Sequence, residues 1–171
     1  MEIIFGRLTL AHETLSDNEL ENLIENHRRK RATHAPLYVD ALRELGKRKG
    51  KGLEFDKSLS VIRNAAKDGR FLGYKELVDA SGADFDQVRF AMNSHLWGLV
   101  EYSHLKHRIL FSAIVVNTPN VATGMMDPLT LKGFVGAARL LEYAVTDEES
   151  FLKEQQARVF AWAREEGLSA D

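Results

Sequence analysis

His95, Glu101, His104 and His107 form the one group in this sequence whose residue types and spacing suit metal or acid–base chemistry. Glu101 and His104 have the Glu-x-x-His spacing that sets two ligands on one helical face, and His107 follows one turn on. A di-metal bundle needs a second such pair and further carboxylates, and only one pair is present. These histidines are therefore expected in a polar link ahead of a buried segment. The Gly-x-Ser-x-Gly elbow, the HExxH pair, the dinucleotide fingerprint and the P-loop spacing are all missing. Cysteine is absent, which removes disulfides, thiolate metal sites and cysteine nucleophiles. The expectation is a non-enzymatic protein with no catalytic residues, no metal and no cofactor.

Cations offer a different chemistry. The net charge is only -2, but the average hides a split: residues 27 to 75 hold 14 Lys and Arg against 5 Asp and Glu, and the remainder holds 9 against 20. Arg28, Arg29, Lys30 and Arg31 close one predicted helix, where they also suit the negative end of its dipole. Lys47, Arg48 and Lys49 open a glycine-containing loop whose amides and charges suit a phosphate backbone. Arg63 and Lys67, four apart, share the outer face of a third helix. Clusters of this kind point to nucleic acid if the fold brings them to one surface.

The elements that must position them are mainly helical. Ser16 and Glu19 form a capping box before Leu20, Leu23, Ile24 and His27, and Pro36 opens a helix to about Gly46. Asp56 is expected to cap a third helix that stops at Gly69. Tyr74 to Met92 then reads as helix, Gly82 turn and second helix, with Phe85, Val88 and Met92 inward. That second helix displays Gln87, Arg89 and Asn93, which can pair with bases or phosphates, although Asp84 and Asp86 at its start repel them. Ile109 to Val116, apolar on both faces, predicts a central strand paired with the N-terminal segment and with residues near Leu99 to Tyr102. Asp127-Pro128 starts a further helix, and Thr146 with Glu149 caps the last one. Tyr74, Phe90, Trp97 and Tyr102 are the aromatics expected nearest a binding face.

Within 74 to 116 the motifs resemble the DNA-binding C-terminal region of the DNA alkyltransferases and their catalytically silent alkyltransferase-like relatives. Tyr74-Lys75-Glu76-Leu77-Val78 matches that family's opening element, Gly82 its turn, Arg89-Phe90-Ala91-Met92 its arginine, and Phe111-Ser112-Ala113-Ile114-Val115 its buried segment. The alkyl-accepting cysteine is replaced by Ser112 and the following His-Arg pair by Ala113-Ile114, so alkyl transfer is excluded. What the resemblance implies is a way of holding DNA, with Tyr74 near a phosphate and Arg89 inserted from the helix.

The expected fold is mainly α with a small β-sheet (α+β), a helix-turn-helix or winged-helix-like core with flanking helices. Residues 1–70 supply an N-terminal strand and a basic helical segment, and 71–171 the helix-turn-helix, a buried strand and two C-terminal helices. The expected function is nucleic-acid binding, DNA more than RNA, in a regulatory, mobile-element or defence role. The alternative is a protein-interaction module, adaptor or antitoxin-like, whose partner is another protein or a second copy of the chain. With no export signal and no membrane span, a cytoplasmic location and no membrane partner are expected.

Overall fold

The computed structural model describes residues 12–32, 35–49, 52–89 and 91–169. The strand or hairpin expected within 2–10 lies outside them. The described chain is mainly helical with one small sheet. In chain order it runs α1 (Asp17–Arg29), α2 (Pro36–Lys49), α3 (Phe55–Lys67), β1 (Leu72–Gly73), α4 (Tyr74–Ser81), α5 (Phe85–Val88), α6 (Met92–His107), β2 (Val115–Val116), α7 (Pro128–Leu140) and α8 (Glu148–Ser169). β1 and β2 pair in parallel, Leu72 with Val115 and Gly73 with Val116. No described helix is long and apolar enough to cross a membrane.

Local chemistry accounts for the helix starts. The Ser16 amide donates to Glu19 Oε2 at 2.7 Å and the Glu19 amide returns to Ser16 Oγ at 3.3 Å, the reciprocal bonding of a capping box. α2 starts at Pro36 as expected but continues to Lys49, so Lys47 and Arg48 are helical and not in a loop. Asp56 does not cap α3. Glu54 holds the cap position, its amide donates to Ser81 Oγ at 2.9 Å, and Asp56 instead faces Arg43 and Lys47 across α2. Likewise Asp147, one residue beyond the expected Thr146, accepts from the Ser150 amide at 2.7 Å to open α8.

α6 is the shared element. Leu99 and Tyr102 belong to the largest core, with Phe55, Ile62, Leu72, Leu77, Val88, Phe111 and Ile114. Val100 joins the core of α7 and α8, with Leu110, Phe134, Val135 and Leu152. Leu105 packs on the α1–α2 core of Leu20, Ile24, Tyr38, Ala41 and Leu42. A helix that meets three cores must be apolar around most of its circumference, and Leu96 to Tyr102 supply that.

Two expectations for the centre of the chain are corrected. Gly82 makes the turn, at φ +67, but the helix after it is a single turn, and Phe85 is 45% exposed instead of inward. Met92 begins α6; Phe90 lies outside the described residues. The apolar run 109–116 is buried, as its composition demands, yet only Val115 and Val116 are strand. Side chains take the backbone groups a ladder would have used. The Leu110 amide donates to Gln155 Oε1, the Phe111 amide to Ser103 Oγ, and Gln156 Nε2 donates to the Ala113 carbonyl. Phe111–Ile114 accordingly winds into a 3₁₀ turn.

Gln156 Nε2 also donates to the Gly124 carbonyl at 2.8 Å. Gly124 sits at φ +74, and a Cβ there would fall 2.3 Å from the Phe71 ring. Gly124→Ala therefore combines a left-handed penalty with displacement of a ring packed on Phe160 at 5.4 Å. A loss of about 2 kcal/mol or more is expected in urea unfolding; an unchanged midpoint would mean that the 121–124 turn is not held as described.

Candidate functional site

The histidine cluster does not assemble. His95 is buried and bonded through Nε2 to Ser58 Oγ at 2.8 Å, His104 Nδ1 meets the Tyr143 hydroxyl at 2.8 Å, and His107 packs against the mutually touching rings of Phe111 and Trp162. Among the described residues no three His, Asp or Glu side chains converge to hold a metal.

Glu101 has another role. It is 3% exposed, and its Oε1 accepts from Tyr38 Oη at 2.9 Å and from Arg28 Nε at 3.0 Å, with Arg28 Nη2 in close contact. Burial pushes this carboxyl up, against Arg28, Tyr38 and the nearby Trp97 indole, which favour its charge. Burial is the largest influence on the Arg28 cation and works against it, but Glu101 and Tyr38 together hold Arg28 above the usual arginine value. Arg28 and Glu101 form an ion pair across the helices. It joins α1, α2 and α6, and it sets the Arg28 guanidinium 6.0 Å from the centre of the Trp97 ring.

Trp97 is the wall shared by three concavities. A cavity of about 420 Å³ brings together Tyr74, Asn93, Trp97, Ser112 and Thr130 under α7. Across Asn93 and Trp97 lies a second, about 600 Å³, between α1, α2 and the start of α6, with Glu21, Glu25, Arg28 and His95 in its lining. Past Arg28 and Trp97 a third, about 490 Å³, is lined by Arg31, Tyr38, Glu101, His104, Arg108 and Glu142 among others. The three concavities adjoin at Trp97 and together form the Trp97 groove, mostly apolar and hydroxyl-lined under α7 and arginine-lined past Arg28.

At the arginine end, three helix C-termini meet. Arg31 follows α1 at φ +53, Arg108 follows α6 at φ +56, and Glu142 follows α7 at φ +67. These are the three non-glycine residues of the described chain with left-handed backbone, and all three line this cleft. Each conformation costs about 1–2 kcal/mol relative to glycine, strain of the kind that collects at binding sites.

The expected nucleic-acid contacts divide sharply. Arg28 is held by Glu101. Arg48 is held by Glu44 at 2.7 Å and by the carbonyls of His12, Glu13 and Leu15, so it fastens the start of the described chain to α2. Lys47 faces Asp56 at 3.8 Å. Arg63 pairs with Glu166 at 3.3 Å and lies 5.7 Å from the Trp162 ring. Arg29 is exposed and bonded only to Asn26 Oδ1, and Lys30 and Arg31 are exposed with no ion pair among the described residues. Gln87 and Arg89 are exposed on and beside α5; the Lys49 side chain lies outside the described residues. Tyr74 and Asn93 line the groove, with the Tyr74 phenol pushed up by burial and Thr130 acting against that shift. Arg108 was not among the expected contacts. It ends the short basic run of His104, Lys106 and His107 at the close of α6, a signal that the sequence does contain.

His95 offers a direct check of the groove's interior. Burial holds its pKa down to about 4, and Nδ1 has no hydrogen-bond partner among the described residues. The folded chain keeps this imidazole neutral while an unfolded chain still takes up a proton. Its contribution to stability is therefore fully present above pH 6.5 and drains as pH falls toward 4, on the order of 3 kcal/mol across that window. An NMR titration should place the His95 ring midpoint near 4; a midpoint near the ordinary 6.5 would mean that the ring is open to water.

The chain matches no protein-family model, and no curated protein or solved structure is similar to it, so the reading of this groove rests on its own residues.

Proposed function

We propose that the protein binds nucleic acid without catalysing a reaction, DNA in preference to RNA, through the Trp97 groove. One observation carries the reading. The exposed cations Arg31 and Arg108 line one cleft where α1 and α6 end, beside an aromatic wall, with the exposed Arg29 and Lys30 preceding Arg31 in the chain. Phosphates are drawn to free cations, and bases stack on aromatic faces without regard to sequence. Tyr74 and Asn93 supply hydroxyl and amide groups further along the groove. α4, the Gly82 turn and α5 make a helix-turn-helix-like edge that offers Gln87 and Arg89 as secondary contacts. Asp84 and Asp86 on that edge argue for contact beside the helix, not through its N-terminus.

Which cations matter separates this reading from a general basic surface. Neutralising Arg31 and Arg108 together should weaken binding of a fluorescent oligonucleotide and reduce the slope of log K against log salt by about 1–2, since each lost phosphate contact removes about 0.7–0.9. Neutralising Arg48 should alter the anchoring of residues 12–15 and leave that slope unchanged. Absence of binding to every single strand and duplex at low salt would overturn the function.

The second reading, a protein-interaction module, rests on the exposed face of α7 that borders the groove. Leu129 and Leu140 are 81% and 76% exposed, with the open glycines Gly133 and Gly136 between them. If that face joins two copies, light scattering should show a dimer that persists as salt rises, because an apolar seam is not screened. A monomer at all salt concentrations would remove this reading.

A further inference from the structure

The arginine end of the groove differs from the rest in shape and charge. Arg31 and Arg108 enter from the ends of two different helices, and neither has an ion-pair partner among the described residues. Between them the cleft is about 490 Å³, a size that takes one small organic ligand and excludes a duplex. Trp97 supplies a ring, with the Arg28 guanidinium already set against it. Below it lies Glu101, whose Oε2 is buried and has no hydrogen bond among the described residues. A phosphate at that depth would be repelled by the carboxylate, whereas the N–H edge of a base offers it a donor. Charge and donor chemistry thus give the cleft a direction: base inward beside Trp97, phosphate outward between the arginines.

The charge of that phosphate is the discriminating feature. A phosphate within a strand carries a single charge, but a terminal phosphate monoester carries about -1.5 to -2 and three acceptor oxygens. Two guanidinium groups reaching from separate walls suit three oxygens better than two, since each guanidinium is a planar fork that bonds oxygens in pairs. We propose that the cleft lined by Arg31, Arg108 and Trp97 binds a nucleotide through its terminal phosphate monoester, either free or at the end of a strand. The strand-end form rests on the nucleic-acid function proposed above; the free-nucleotide form does not.

Competition binding with the full chain separates these cases. The probes are one short single-stranded oligodeoxynucleotide prepared with a 5′-phosphate, with a 3′-phosphate, with hydroxyl ends only and as a closed circle, together with deoxyadenosine 5′-monophosphate and deoxyadenosine. A phosphate-ended strand should bind about tenfold or more tightly than the hydroxyl-ended one, and the monophosphate more tightly than the nucleoside. Arg31→Ala and Arg108→Ala, both at exposed positions, should each reduce that preference, lowering the affinity of the phosphate-ended strand by a clearly larger factor than that of the circle. Equal binding by the circle and all linear forms would overturn the end recognition and leave nucleic-acid binding standing. Binding of the monophosphate with no binding of any strand would keep the cleft's ligand and overturn the proposed function. No binding by any probe would overturn both, and a phosphate preference that survives in both variants would put the monoester elsewhere and overturn the assignment.

Discussion

Glu101 sits where α1, α2 and α6 meet, and a carboxylate so placed is tolerated only because two donors converge on it. Desolvating the charge costs several kcal/mol, and a single exposed partner would not offset that. Arg28 and Tyr38 reach the same oxygen from two different helices, so neither helix can rotate or slide on α6 without leaving a buried charge unpaired. Buried pairs of this kind contribute little net stability against an apolar replacement, but they discriminate strongly between one packing and its neighbours. Everything at the basic end follows from that restriction. α1 ends beside α6, Arg28 lies against Trp97, and Arg31 just beyond it lines the cleft.

The same pairing explains how far the sequence could be read. Residue type and order disclose a helix start when the signal is local, and Ser16 with Glu19, Pro36 and Asp127-Pro128 all act within one turn. Asp56 and Thr146 carried equally good local signals and were displaced by Glu54 and Asp147, because Ser81 and Ser150 offered bonds at those other positions. Ile109 to Val116 is buried, as an apolar run must be, but burial does not decide between ladder and turn. That was decided by Gln155, Gln156 and Ser103, two of them more than 40 positions away, which claimed its backbone groups first.

Charge was the least legible property, because a sequence reports the sign of a side chain and not its partner. Arg48 and Arg31 are alike in composition terms, each in a run of cations. Arg48 spends its donors on three backbone carbonyls and two carboxylates, while Arg31, turned out of α1 by a left-handed backbone, has no ion pair among the described residues. Trp97 stands among the aromatics that the sequence offers for a binding face, and it lines all three concavities. That it divides one groove into three parts depends on α6 being packed on three sides, which no local pattern encodes.

The helix C-termini at the cleft set a further electrostatic condition. Each helix end presents unsatisfied carbonyls equivalent to about half a negative charge, so cations there are partly neutralised by the backbone they follow. Arg29 and Lys30, on the last turn and cap of α1, serve that dipole first. Arg31 and Arg108 stand one step beyond the last helical residues, or at the cap itself, where the left-handed turn redirects the chain. Glu142 occupies the equivalent place after α7, a carboxylate at a negative end, and that is unfavourable unless cations lie across from it. Glu142 lines the same cleft as Arg31 and Arg108 and forms no ion pair with either among the described residues, so its charge lowers the pull of the two arginines on an anion without occupying them.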